Sequence, residues 1–477
     1  MNEDELAPLL HTTNSPSSNL RRLSKHSLII LYLTSFIGAT GYSMVISSAL
    51  PYLQSIDHTI SLSFYGWVVG AFSIGQLLFS PVLGYLTNKF GYRFPYCLSV
   101  TIIGLSNILY AYAYVFPVTF AGINHIPGYV LICARFFIGV GSSNVAIARS
   151  YISDTIPINE RTKYLGFIAA AQSTGFLLGP VLQLMFVGLG HEGYFIPIIN
   201  FQLNMYTAPA MFSVYICLIN LLALMIAFVD FSKHVNREDD SPTIDVISSS
   251  PIDFTAVVLS NILWFVNLTA ISFFEGILTA LLQAEYAWNH QKVITVGSVL
   301  GGAIALTAFF VFLSISFLAK RFKERHLLTC ALLITAIGYF VCYPISNSYP
   351  PEKPVNATSP QTAVGCDTSQ YSWCHSVHTI YFFQFVISGT ITMLAYSANV
   401  VLVTTLYSKI LGPCQQGVYQ GFLTTSGSTA RFLAPIVITA VFAKFGPLVA
   451  FFTMGTLFSL TTVLQVIFSS KFVPRLL

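Results

Sequence analysis

Twelve apolar runs of about 20 residues or more follow one another along this chain, each parted from the next by a polar segment. They occupy 28–50, 64–86, 94–116, 128–150, 163–187, 208–230, 254–283, 293–317, 327–346, 377–406, 419–441 and 446–469. A helix rising about 1.5 Å per residue needs roughly 20 residues to cross the hydrocarbon core of a bilayer. A backbone in hydrocarbon must satisfy its own hydrogen bonds, so each run is expected to be a helix. Only 8% of the residues are charged, against about 25% in a soluble domain. The expected fold is an all-α polytopic membrane protein with the lipid bilayer as its first partner. No cleavable signal pattern precedes the first run, which is expected to act as the insertion signal. The net charge of +4 carries no basic stripe and gives no reason to expect nucleic acid.

Lys and Arg set the orientation, because they collect in cytosolic loops. One set of alternate segments holds Arg21, Arg22 and Lys25; Lys89 and Arg93; Arg161 and Lys163; Lys233 and Arg237; Lys320, Arg321, Lys323 and Arg325; Lys409; and Lys471 and Arg475. The other set holds only Lys292, Lys353 and Lys444. Both termini are therefore expected in the cytosol. The expected organisation is a tail at 1–27, a six-helix bundle at 28–230, a cytosolic linker at 231–253, a second bundle at 254–469 and a tail at 470–477. The segment 347–375 then faces the lumen, with Asn356-Ala357-Thr358 as a glycan acceptor and Cys366 and Cys374 as disulfide partners.

The two bundles repeat one another. YLGFIAAAQSTGFLLGP (164–180) aligns without a gap with YQGFLTTSGSTARFLAP (419–435). The match pairs Tyr164, Gly166, Phe167, Ser173, Thr174, Leu178 and Pro180 with Tyr419, Gly421, Phe422, Ser428, Thr429, Leu433 and Pro435. These lie on the fifth and eleventh runs, as a six-plus-six duplication requires.

Three short patterns resemble those of the major facilitator superfamily. Gly84-x-x-x-Asn88-Lys89-x-Gly91-x-Arg93 is similar to its loop motif between helices two and three. Arg135-x-x-x-Gly139-x-Gly141 is similar to its fourth-helix motif, and Gly175-x-x-x-Gly179-Pro180 to its fifth-helix motif. The resemblance implies twelve helices in two pseudo-repeated six-helix bundles around a central cavity. Asn88 replaces the usual acid of the loop motif, and Gln183 and Leu184 stand where glycines usually follow Pro180. Both departures weaken the case for ordinary proton-driven antiport. GYSMVISSALPYLQSID (41–57), SNVAIARSY (143–151), QLNMYTAP (202–209), LYSKILGP (406–413) and QGVYQGFLTTSGSTAR (416–431) resemble an endolysosomal branch of that family. That likeness implies an endolysosomal membrane protein linked to chloride conductance and lysosomal homeostasis.

Ionisable residues inside spanning helices are functional suspects. Arg135 is expected ~10 Å and Glu275 ~12 Å from the lumenal end of their helices, and Arg431 ~18 Å along its own. Arg135 and Glu275 could thus meet at one level, whereas Arg135 alone could snorkel to headgroups and Glu275 could simply pair with Arg431. Two arginines and one glutamate leave one excess positive charge, which favours a small anion or an organic anionic solute; a protonated Glu275 would instead give proton coupling. Tyr42, Asn144, Gln172, Tyr396 and Asn399 are candidate cavity dipoles, and Arg149 and Asp154 are expected to position the cytosolic loop after helix four. Glu5-x-x-x-Leu9-Leu10 resembles an acidic dileucine signal for clathrin adaptors. No constellation suggests an enzyme, a metal site or a cofactor. The first expectation is an anion (chloride) channel on a transporter scaffold. The alternatives are an alternating-access carrier of a small organic anion or lipid-derived metabolite, and a non-transporting scaffold.

Overall fold

Each of the twelve runs is a helix in the computed structural model, which describes residues 18–57, 62–120, 123–230, 252–288, 290–353, 365–368, 371–412 and 414–472. The first half comprises α1 (Ser18–Ile56), α2 (Leu62–Phe90), α3 (Arg93–Ala111), α4 (Ile126–Ser142, continued past Ser143 by Asn144–Thr155), α5 (Arg161–Val187) and α6 (Thr207–Ala227). The second comprises α7 (Phe254–Tyr286), α8 (His290–Arg321), α9 (Glu324–Phe340), α10 (Phe382–Leu411) and the stretch Gly417–Ile467. That stretch breaks at Gly446 into α11 (417–445) and α12 (447–467). The sorting motif Glu5, Leu9 and Leu10, most of the linker and Asn356 lie outside the described residues.

The break at Gly446 has a local cause. Its φ of 82° lies in the left-handed region, and a Cβ there would come 2.9 Å from the Trp373 ring, so only glycine fits. Trp373 is buried beside the disulfide that joins Cys366 to Cys374 and stacks edge-on against Phe442 of α11, 5.4 Å between centroids. At the other end of the second half, the Asp253 side chain caps α7 by accepting from the amides of Thr255 (3.0 Å) and Ala256 (3.3 Å). A hydrogen bond from Lys471 holds its carboxyl below the usual carboxylate range.

Several boundaries differ from the apolar runs. The α9 helix stops at Phe340 rather than 346, because Gln384 of α10 donates to the carbonyls of Val341 and Tyr343 and so replaces the missing helical donors. The α10 helix runs on to Leu411, which puts Lys409 inside its last turn rather than in a loop. Two short hairpins, β1 (Thr119–Phe120) with β2 (Ile123–Asn124) and β3 (Tyr194–Ile196) with β4 (Phe201–Leu203), lie in connecting segments where hydropathy gives no signal. They are small additions to the all-α class.

The motif glycines are where helix backbones touch. A Cβ on Gly139 of α4 would strike the Phe72 carbonyl of α2, and one on Gly141 the Ser99 carbonyl of α3. In the same way Gly175 and Gly179 admit α1 against α5. The repeat is visible in these contacts. A Cβ on Gly166 of α5 would lie 2.8 Å from the Phe312 carbonyl of α8, and one on its partner Gly421 of α11 2.6 Å from the Ser80 carbonyl of α2. The two crossings are equivalent positions of the two halves, and each joins one half to the other.

Hydrogen bonds identify two faces. On one, here the basic face, Ser27 accepts from the Val229 amide (2.9 Å) and Asp230 from the Tyr92 amide (2.6 Å), while Tyr92 also donates to Asp154. On the other, the disulfide face, Tyr52 donates to the Ala111 carbonyl (3.2 Å) and Glu285 accepts from the Ile380 amide (3.0 Å). The halves are tied together at the basic face. Arg161 of α5, buried, donates to the carbonyl and hydroxyl oxygens of Ser408 at 2.9 Å each. Ser408 donates to Ser153 of α4 (2.7 Å), and Glu324 binds both Lys409 (2.7 Å) and the Thr162 hydroxyl. The basic-face end of the bundle is therefore closed in this conformation.

Candidate functional site

Between the halves, above this closure, lies a cavity of about 170 Å³. The first half lines it with Tyr42 of α1, Gln76 of α2, Asn144 and Arg149 of α4 and Gln172 of α5. The second half contributes Trp264 of α7, Tyr396 of α10, and Ser428 and Arg431 of α11. Gln76 is the crosspiece: its amide nitrogen donates to the Ser142 carbonyl (3.1 Å) and its oxygen accepts from Ser428 (2.9 Å). Thr425 of α11 donates to the Leu77 carbonyl (2.9 Å), so α2 and α11 meet along one wall.

Arg149 is buried at 7% exposure, with its guanidinium carbon 4.7 Å from the Trp264 ring centre and its Nη1 without a hydrogen-bond partner among the described residues. Arg431 approaches from the facing half and lies 5.8 Å from the Tyr42 ring and 5.9 Å from Phe72. Arg135 sits on the same two rings, at 4.8 and 5.3 Å. It is fully buried, and none of its three guanidinium nitrogens has a hydrogen-bond partner among the described residues. Behind Tyr42 it lines a cavity of about 20 Å³ together with Asn107, Ser142 and Ser213. Aromatic faces stabilise such cations by about 0.5–2 kcal/mol each, which falls short of an ion's desolvation cost of several kcal/mol. Among the described residues no Asp or Glu lines either cavity. An anion is the complement these walls lack.

The structure redistributes the sequence candidates. Tyr42, Asn144, Gln172, Tyr396 and Arg431 converge on the central cavity. Arg135 neither snorkels nor faces open water; it backs the Tyr42–Phe72 wall. It meets the rings that Arg431 also touches, rather than Glu275. Glu275 is exposed on α7 and lines neither cavity. No ion pair joins it to Arg431 among the described residues. Asn399 is fully buried and donates to Thr335 of α9 (3.1 Å), so it fastens α10 to α9 and is no cavity dipole. In the loop motif, Gly84 packs on the Gly417 backbone, a Cβ on Gly417 would strike the Asn88 side chain, and Gly91 ends α2 with φ 79°. Lys89 lies over the Phe90 ring (5.4 Å) and the Arg93 amide donates to Asp230 (3.3 Å).

Arg149, expected to position a loop, is instead a cavity residue; Trp264, Gln76 and Ser428 were not foreseen at all. Arg149 follows Arg135 by 14 positions, close to four helical turns of about 3.6 residues, so the two share a helix face. That spacing was the available signal. Arg149 is also wired to the closure: Arg161 donates to Ser408, Ser408 to Ser153, and Ser153 to the Arg149 carbonyl (2.8 Å).

The Major Facilitator Superfamily model matches residues 31–360. The chain belongs to the Major Facilitator Superfamily. A relative within it, Major facilitator superfamily domain-containing protein 8 of Xenopus laevis, is 33% identical over 479 residues, covering 93% of this chain and 92% of that protein. The human organic anion transporter MFSD10 superposes with a TM-score of 0.65 at 15% identity, covering 92% of this chain and 99% of the other. The proton:xylose symporter XylE gives a TM-score of 0.64 at 16% identity, covering 94% and 96%. This Major Facilitator Superfamily chain is thus a membrane protein of transporter type, and its two halves enclose the arginine-lined cavity where they meet.

Proposed function

We propose that the protein carries a small organic anion across an endolysosomal membrane by alternating access. The observation that carries this reading is the pairing of Arg149 and Arg431, one from each half, on a cavity with no carboxylate among its described lining residues and closed at the basic face. A site between two halves can open to either side as they rock, and cationic walls select for negative charge. Asn144, Gln172 and Tyr396 supply neutral donors for the remainder of the solute, and Trp264 an apolar face. That MFSD10 is an organic anion transporter agrees with this chemistry. In reconstituted vesicles, uptake of the transported anion saturates with concentration; uptake strictly linear in concentration rejects the carrier.

One observation favours a chloride conductance as the second reading. The space of about 20 Å³ beside Arg135 suits a single small ion, since a water-sized occupant needs about 10–15 Å³ by this measure. Recording current from the same vesicles separates the readings, because a channel passes current without a saturable carrier step.

The Lys and Arg distribution supports a cytosolic basic face. The disulfide loop is then lumenal, with a glycan on Asn356, and the Glu5, Leu9 and Leu10 tail signal meets clathrin adaptors in the cytosol. Digestion with an N-glycosidase shifts the mobility of the wild type but leaves Asn356→Gln unchanged; identical mobility for both, treated and untreated, reverses the orientation argument.

A further inference from the structure

A second and larger cavity, about 650 Å³, opens at the basic face and takes no part in the site above. Among the described residues its wall carries six cations, Lys163 of α5, Lys320 and Arg321 of α8, Lys323, Arg325 and Lys409, against two carboxylates, Glu160 and Glu324. Glu324 is already bound to Lys409 at 2.7 Å. Lys163 lies over Tyr164 and Phe167, and Lys320 over Phe317, with no carboxylate partner for either among the described residues. Cations at helix ends are ordinary in membrane proteins, where they anchor the chain at the headgroups. Here they converge on one concave site instead of spreading around the rim. The volume lies within the range of about 300–1,000 Å³ typical of small-molecule pockets.

We infer that this groove binds a multiply phosphorylated anion, of the kind presented by a phosphoinositide headgroup or a free inositol polyphosphate, and that the bound anion holds the basic face shut. Phosphate oxygens accept from several Lys and Arg donors at once, and basic pockets between helices at the membrane surface bind such headgroups. The position of the cations makes the ligand a conformational effector. Lys163 belongs to the first half, and Lys320, Arg321, Lys323 and Arg325 to the second. Between them, at the groove wall, runs the Thr162–Glu324 bond that joins the halves, with Glu324 held in place by Lys409 of its own half. Parting the halves at this face separates Lys163 from its counterparts. A ligand that needs both sides therefore binds the closed form better and shifts the population toward it.

The test uses the full chain in nanodiscs of phosphatidylcholine alone, of phosphatidylcholine with a few per cent phosphatidylinositol bisphosphate, and of phosphatidylcholine with soluble inositol hexakisphosphate. Binding is read by native mass spectrometry, and the closure by the distance between spectroscopic labels on α5 and α8 at the basic face. The exposed triple variant Lys320→Gln, Arg321→Gln, Lys323→Gln removes charge without touching the core. The wild type binds at least tenfold more tightly than the triple variant, and its label distances collapse to the short population on adding ligand. Binding in the lipid arm alone makes the headgroup the occupant; binding in the soluble arm makes it a free polyphosphate. Equal binding by variant and wild type overturns the site, and binding with unchanged distances overturns its grip on the closure. Neither readout involves flux, so failure here is distinguishable from failure of the carrier reading.

Discussion

Replacing Arg149 by Gln is expected to lower anion flux on the order of 100-fold while leaving the protein folded and inserted. Truncating one partner of a buried, charge-assisted contact costs about 2–5 kcal/mol, and about 1.4 kcal/mol is tenfold. Arg149 provides such a contact from the first half of the cavity, backed by Trp264 at 4.7 Å and with an unused Nη1. Gln keeps hydrogen-bonding capacity and approximate length but no charge, so the loss measures the charge itself. Initial rates in vesicles, normalised to inserted protein and set beside a melting curve, check it. Flux within threefold of wild type would remove Arg149 from the site. A variant with unchanged maximal rate and a raised half-saturation concentration would place its whole contribution in binding the ground state.

The second large effect concerns the closure. Arg161→Met is expected to shift the population about 100-fold toward the form open at the basic face. The side chain is 6% exposed and makes two bonds of 2.9 Å to Ser408 across the halves, along with one to the Ile156 carbonyl within its own half. Hydrogen bonds from a charged group contribute about 1.5–3 kcal/mol each. The cross-half pair alone therefore accounts for about 3 kcal/mol of preference for the closed form, and the Ile156 bond survives neither state in the variant. Distances between labels on α4 and α10 at the basic face report the change. An unaltered distribution in a folded Arg161→Met protein would show that helix packing, not this arginine, keeps the face shut.

The fold was legible because twelve long apolar runs leave little freedom, and the repeat because Gly166 and Gly421 occupy equivalent close crossings between the halves that tolerate only a small residue. The site was half legible. Polar residues in spanning helices announce themselves by cost, as Arg135, Arg431, Tyr42, Asn144, Gln172 and Tyr396 do. Cost does not reveal which way a residue faces. Asn399 bonds inside its own half, and Glu275 stands beyond the cavity wall, yet both look the same as cavity residues in one dimension. Arg149 was misplaced for a different reason. The apolar run ends at 150, whereas the helix continues to Thr155, which moves this arginine from a helix end to more than a turn inside. A two-residue polar extension such as Ser153-Asp154 dilutes hydropathy without breaking a helix, because Ser153 returns its hydroxyl to the Arg149 carbonyl.

Arg135 and Arg431 share the rings of Tyr42 and Phe72, and on the carrier reading proposed above this gives the empty protein an electrical load. Their like charges repel, and sealing the unoccupied cavity away from solvent sharpens that repulsion as the dielectric falls. A carrier built this way is expected to have an idle leg slower than its loaded one. Net movement in one direction waits on the empty protein, whereas swapping one anion for another does not, so counterflow should outpace uptake into empty vesicles.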